Sequence, residues 1–281
     1  MIDNVVLLGS HAVSGGGIYI GNNCSGITIT DSEFIENSSD IRGGGCAIAE
    51  YSEVSIEDCL FNNNATLDFG GGLSNMGIVT AAGSTFTFNE AQYGGGLYDH
   101  HNPSVYTNCA FLNNRAARSG GGIFNFGSIT LTGCTISRET TNANDPGNSA
   151  PRGAGIFNDA SGIADIVNVD ISDCTITHNT SSENGAGIYN LRSSLTIHDN
   201  CEISYNENTG TVTGSDGGGI YCTSSSPTIG NKCFAANTAG RNRKSRPSRC
   251  PRRAVASSSS PRRCPQGFAH RAGHRRRRSR H

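Results

Sequence analysis

Short alternating runs recur along the first 240 residues, among them Ile27-Thr28-Ile29-Thr30, Val54-Ser55-Ile56-Glu57, Ile129-Thr130-Leu131-Thr132 and Leu195-Thr196-Ile197. Alternation of β-branched with polar residues reads as a strand with one face buried. Just downstream comes an aromatic or Ile followed three residues later by Asn: Phe34/Asn37, Phe61/Asn64, Phe86/Asn89, Phe111/Asn114, Ile176/Asn179, Ile203/Asn206 and Phe234/Asn237. At Ile136 the fourth position is Glu139 instead. Each unit then closes on a triplet of small residues followed by an apolar one, beginning at Gly15, Gly43, Gly70, Gly94, Gly120, Gly153, Gly185 and Gly217, with spacings of 24 to 33 residues. Two motifs in fixed alternation at that period are the signature of one solenoid turn per repeat. Counting the triplet segment and the Phe strand with the alternating run predicts three short strands per turn. The expected fold is therefore all-β: a right-handed parallel β-helix of about eight to nine turns over residues 1–240.

Like residues at equivalent places, such as Ile123, Ile156, Ile188 and Ile220, would stack about 4.8 Å apart and fill the interior. The triplet glycines suit corners with positive φ or close backbone approach, and the Asn suits a corner at which its amide reaches the next turn. Cys59, Cys109, Cys134, Cys174 and Cys201 all stand two residues before the Phe or Ile, a place held by Ser32 and Ser84 elsewhere. Interchange with Ser predicts a small buried slot filled by free thiols, with disulfides or a metal as the alternative; no CxxC spacing is present. Longer units are read as insertions at Thr140–Arg152 and Glu207–Asp216, placed at one shared corner, and around Asp159–Asn168. Loops on a rigid scaffold are where binding usually resides.

Composition agrees: the 281 residues include 37 Gly and no Trp, too turn-rich for a helical bundle. Charge divides the chain in two. Residues 1–240 carry 7 Lys and Arg against all 23 acids, whereas residues 241–281 carry 15 basic residues and no acid. An Arg/Ser/Pro-rich segment of that kind cannot bury a core, so 241–281 is expected to be a disordered tail. Taken literally it would attract polyanions, although no RNA-binding fold accompanies it and nucleic acid is not the expected partner. It begins where the next glycine triplet falls due. G-rich glycine codons read out of frame yield Ala and Arg, so a frame slip or misassigned exon near residue 240 is the expected origin of the tail. No secretory signal is read at Met1-Ile2-Asp3-Asn4, no run is apolar enough for a membrane helix, and Val5–Leu8 reads as part of an interrupted turn, so a truncated N-terminus is expected.

The GGGI and FxxN motifs, over about residues 15–240, resemble the repeats of the chlamydial polymorphic outer membrane proteins. That resemblance implies a secreted β-helical passenger displayed at a cell surface or outer membrane, used for adhesion or binding of a host or cell-surface protein or glycan, ahead of a C-terminal β-barrel. No barrel pattern and no terminal aromatic is read here.

β-Helices also include pectate lyases and polygalacturonases, which makes a carbohydrate-active enzyme the alternative. Hydrolysis requires clustered carboxylates, one as acid and one activating water. Asp31 and Asp58 hold equivalent places on adjacent turns, and Asp173 recurs there, but Gly83, Asn108 and Gly133 intervene. The paired Asp, Gly-His-Gly and Arg-x-Lys patterns of polygalacturonases are absent, and Arg138 and Arg192 stand alone as candidate lyase bases. His100 and His101 beside Asp99, and His198 beside Asp199, have the residue types for a metal or a base; Asp99 also falls in a second ladder with Asn75, Asn125, Asn158 and Asn190. The plainer reading, solvated acids and corner imidazoles, is preferred throughout. No catalytic, cofactor-binding or metal-binding residue is assigned, and no cofactor is expected. Sequons at Asn23, Asn37, Asn64 and Asn179 are read as coincidence with the repeat rather than glycosylation sites.

Overall fold

The computed structural model describes residues 1–100, 103–139, 147–161, 167–211, 214–230 and 233–239, the side chain of Cys233 excepted. The basic tail read over 241–281 lies outside the described residues. The chain winds as a parallel β-solenoid in which successive turns pair strand on strand, without a described helix. Eight turns are complete and a ninth supplies three strands.

Each turn carries four strands rather than three. In one turn they are Glu53–Glu57, Leu60–Asn62, Ala65–Thr66 and Leu73–Asn75. They contribute in order to four sheets of nine, nine, nine and eight strands. The third strand escapes hydrophobic pattern reading because its inward residue is small or polar: Ser39, Thr66, Ala91, Ala116, Ala150, Ser181 and Asn208 hold that place. Space dictates the choice. A Cβ on Gly95 would lie 2.5 Å from the Arg115 carbonyl oxygen of the third sheet and 2.5 Å from that of Gly121 in the next turn, so the glycine triplet and the third sheet pack backbone against backbone. The first triplet residue adopts positive φ, 69° at Gly120, and swings the chain into the fourth sheet. Ala154 and Ala186 occupy the middle place in two turns, fully buried, so one methyl is accommodated where the backbone shifts. Gly95→Val is accordingly expected to cost about 3 kcal/mol by overpacking, read as a lower denaturant midpoint at unchanged m, and Gly95→Ala clearly less.

The inner column of the second sheet is a face-to-face pile of rings, with centroids 4.5 Å apart for Phe34–Phe61, 4.6 Å for Phe61–Phe86 and 4.8 Å for Phe86–Phe111. Ile136, Ile176 and Ile203 continue it, fully buried. At the next corner the motif Asn residues form a continuous amide ladder. The Asn114 Nδ2 donates to Phe86 O at 2.9 Å and to Asn148 Oδ1 at 3.1 Å, while its Oδ1 accepts from Asn89 N and Asn89 Nδ2, both at 3.0 Å. In the turn where the motif reads Glu139, Asn148 takes the ladder place, donating to Phe111 O at 2.8 Å and Asn179 Oδ1 at 2.9 Å.

That substitution relocates an insertion. Ser149–Arg152 is itself a third-sheet strand, so the extra residues of this turn precede Asn148, between the second and third sheets. In the later turn Glu207–Asn208 is the third-sheet strand, and the extra residues follow it, before Gly217. The two insertions therefore leave from different corners, because the ladder Asn, not the FxxN spacing, fixes where the third strand starts. Residues 140–146, within the first of them, lie outside the described residues.

Candidate functional site

The first corner, between the first and second sheets, explains the acids that drew attention as a catalytic pair. Asp31, Asp58 and Asp173 have φ of 48°, 49° and 54°, and the same place holds Asn4, Asn108 and Asn200 at 53°, 52° and 66° and Gly83 and Gly133 at 62° and 65°. Only Gly, Asn and Asp visit this left-handed region readily, so the three aspartates are corner residues selected by backbone conformation. All three are exposed. Just inside this corner sits the Ser/Cys slot. Its hydroxyl or thiol accepts a backbone N–H from the preceding turn, as in Cys59 N to Ser84 Oγ at 3.1 Å and Cys134 N to Cys174 Sγ at 3.3 Å. It also donates to a carbonyl: Ser84 Oγ to Ala82 O at 3.1 Å, Cys134 Sγ to Tyr106 O at 3.3 Å. Ser and Cys interchange because either fills a small buried donor–acceptor site. The eight cysteines with described side chains outside the tail are free thiols.

Asp99 and His100 do not converge, because successive strand residues point to opposite faces. Asp99 turns inward and is 0 % exposed. It accepts hydrogen bonds from Tyr106 Oη at 2.7 Å, Asn75 Nδ2 at 3.3 Å and Ser104 Oγ at 3.4 Å. Burial pushes its carboxyl up to about 7 against the opposing pull of those donors. His100 turns outward and stacks at 5.2 Å on Phe126 and 5.8 Å on Tyr98; His101 lies outside the described residues. His198 pairs across turns with Asp170, Nε2 to Oδ1 at 2.9 Å, rather than with its neighbour Asp199. With Asp173 and Asn200 they line a shallow open depression. Arg192 is an exposed corner residue with φ of 59°, and Arg138 is half-buried near His178. No group of three His, Cys, Asp or Glu side chains with metal-binding geometry occurs among the described residues. Of the sequon asparagines, Asn37, Asn64 and Asn179 are buried in the amide ladder. Asn23 is exposed at a corner with φ of 59°.

One surface feature was missed by sequence reading. The residue after each triplet's apolar residue lies on the outer face of the fourth sheet, and over five consecutive turns it is Tyr98, Phe124, Phe157, Tyr189 and Tyr221. Phe124, Phe157 and Tyr189 are buried beneath their neighbours, and Tyr98 and Tyr221 are half-buried. Their centroids lie 5.4, 5.1, 4.7 and 4.9 Å apart in order. At the glycine corner Phe69 and Tyr93 lean onto this row, Phe69 at 4.7 Å from Tyr98 and Tyr93 edge-on to Phe124 at 5.4 Å. Arg42 and Arg152 lie over Phe69 and Phe157 at 6.0 and 5.7 Å. Phe126 and Leu191 flank the row on its other side. The signal was present as an aromatic one place past GGGL, GGGI or GAGI, but a period of one residue per turn is invisible to alternation within a strand.

A model of the Chlamydia polymorphic membrane protein repeat matches residues 108–125 and 173–191. Each match starts at the first corner, spans the thiol slot, the Phe or Ile strand, the ladder Asn and the triplet, and ends on the fourth sheet beside the aromatic row. No curated protein and no solved structure matches the chain.

Proposed function

We propose, from the premise that two turns of this chain carry the Chlamydia polymorphic membrane protein repeat, that it is the rigid rod of a surface-displayed binding or adhesive protein, engaging a protein partner on the outer face of its fourth sheet. The fold and the repeat fit a surface repeat module. The observation that carries the finer reading is the aromatic row from Tyr98 to Tyr221, which runs along five turns with arginines beside it. Tyrosine and arginine dominate the energetic centres of protein interfaces. The half-buried Tyr98 and Tyr221 offer ring edges and hydroxyls at the two ends of the row, while Phe124, Phe157 and Tyr189 between them are buried and hold the row rigid.

The partner's chemistry follows from ring orientation. The rings stack on one another, within 15–18° of parallel from Tyr98 to Tyr189, so their faces are already occupied. A sugar needs a ring face to stack on; ring edges and tyrosine hydroxyls suit a protein surface. A polysaccharide-cleaving reading draws on Asp31, Asp58 or the Asp170–His198 pair, whose corner conformation and exposed ion pair have a structural account of their own.

Beads carrying the purified chain are expected to attach to cultured cells, and beads carrying the Tyr98→Ser, Tyr221→Ser double variant to attach about tenfold less well, two half-buried interface tyrosines together being worth at least ~1.4 kcal/mol. Protease treatment of the cells should abolish attachment and glycosidase treatment should leave it. Equal attachment by parent and variant would remove the fourth sheet from consideration, and loss on glycosidase treatment would replace the protein partner by a glycan.

A further inference from the structure

The thiol slot differs between the two halves of the rod. Counting turns, it holds Ser32, Cys59, Ser84, and then Cys109, Cys134, Cys174 and Cys201 without a break. Cys59 thus has a hydroxyl on either side, whereas the later four stand thiol on thiol in consecutive turns. The Cys134 amide donates to Cys174 Sγ at 3.3 Å, and the four side chains are 0–2 % exposed. Each also donates to a carbonyl, Cys109 to Thr107 O of its own turn at 3.5 Å, and Cys174 to Leu131 O at 3.5 Å and Cys201 to Ile171 O at 3.6 Å in the turn before. The residues two places on pair directly, Phe111 with Ile136, Ile136 with Ile176 and Ile176 with Ile203, so the four cysteines occupy one column in register. Adjacent turns of a parallel solenoid are about 4.8 Å apart, inside the ~4.4–6.8 Å window of Cα separations that a disulfide spans.

We infer that this column is an oxidation seam: in an oxidising compartment Cys109 pairs with Cys134 and Cys174 with Cys201, clamping the fifth turn to the sixth and the seventh to the eighth. The oxidant is a disulfide, either a small-molecule disulfide or a dithiol oxidase. One cysteine thiolate attacks the oxidant's disulfide and releases one thiol. The neighbouring cysteine thiolate then attacks the mixed disulfide and releases the second, so each pair loses two protons and two electrons and the oxidant becomes two thiols. Timing follows from the environment. The hydrogen bond to Cys134, and then burial, raise the Cys109 thiol far above the usual range, and a buried neutral thiol is a poor nucleophile. Pairing therefore belongs to folding, before the turns close, and a finished bond is shielded from reductants afterwards. Cys46, pushed up to about 12 by burial, faces the interior of the fourth sheet between Ile18 and Leu73, and with Cys59 it stays reduced.

The test is to refold the full chain from the reduced, denatured state in a mixture of oxidised and reduced glutathione, denature it in iodoacetamide, and map disulfides by peptide mass. The expected result is Cys109–Cys134 and Cys174–Cys201 as bonds, with Cys46 and Cys59 alkylated. Cys134→Ser, which places in the slot the residue native at Ser32 and Ser84, should fold normally by circular dichroism, leave Cys109 alkylated and keep Cys174–Cys201. Alkylation of all four, a Cys134–Cys174 bond, pairing with cysteines outside the column, or continued protection of Cys109 in the Ser variant would each overturn the inference.

Discussion

Replacing Asp99 by Asn is expected to stabilise the solenoid by on the order of 4 kcal/mol at neutral pH and above. Asp99 is fully buried with a carboxyl raised from 3.8 to about 7. The folded state then holds more protons than the unfolded state between those values, so stability is highest below pH 4 and declines as pH rises to about 7. Every tenfold difference in proton affinity between the folded and unfolded states is worth ~1.4 kcal/mol. Asn has the same shape, is the native residue at Asn75, Asn125, Asn158 and Asn190, and carries no charge to desolvate. Tyr106 and Asn75 keep an acceptor in the new carbonyl, and the amide can donate onward to Asn125 as Asn125 donates to Asn158 at 3.3 Å. Urea unfolding at pH 4 and pH 7.5 checks this: the parent should lose stability between the two, the variant should hold this part of its stability, and the curves should meet at low pH. A parent with no such decline would mean that Asp99 ionises freely.

The opposite sign and a comparable size are expected for Asn114→Ala. Four hydrogen bonds converge on that side chain, and the truncation strands Asn89 N, Phe86 O and one N–H of Asn89 Nδ2, whose other N–H still reaches Phe61 O, among fully buried residues. Leaving a buried polar group unsatisfied costs ~1–3 kcal/mol, so the loss is about 4 kcal/mol; Asn148 Oδ1 keeps the Asn114 backbone N–H and loses only the side-chain donor. Because each turn touches only its neighbours, the damage should be local. Hydrogen exchange should quicken in the turns of Asn89, Asn114 and Asn148 and change little at Asn37 or Asn206. Uniform acceleration along the whole rod would show that it unfolds as one cooperative unit.

These two residues also show how far the sequence could be read. Asn114 was legible, because a ladder residue repeats in one-letter form, and the same repetition exposed the solenoid, the thiol slot and the inward Ile and Phe columns. Asp99 was placed correctly in the Asn ladder, yet its isolation in the core depends on Tyr106, seven residues on, which replaces the smaller Ala81 and Leu131 of adjacent turns. Ladder reading does not detect a single exchange of that kind. The third strand escaped for a related reason: where backbone packs on backbone, as at Gly95 and Arg115, no apolar side chain remains to mark a strand. Asp31 and Asp58 looked like chemistry because their demand is conformational, and a φ near 50° leaves no trace in a one-letter code beyond the company of Asn and Gly. The aromatic row was written plainly, one residue per turn, but its meaning required knowing which face of the fourth sheet is outside.

The amide ladder has an electrical consequence. From Asn37 to Asn237 every side-chain carbonyl accepts from the turn before it, beginning with Ser10 N on Asn37 Oδ1 at 3.0 Å and ending with Asn206 Nδ2 on Asn237 Oδ1 at 3.0 Å. The column is thus a line of dipoles pointing one way, a side-chain counterpart of the peptide dipoles that sum along a helix, and hydrogen-bonded chains polarise one another further. The Asn37 end of this column carries partial negative charge and the Asn237 end partial positive charge, so an otherwise repetitive stack of turns has an electrical direction along its axis.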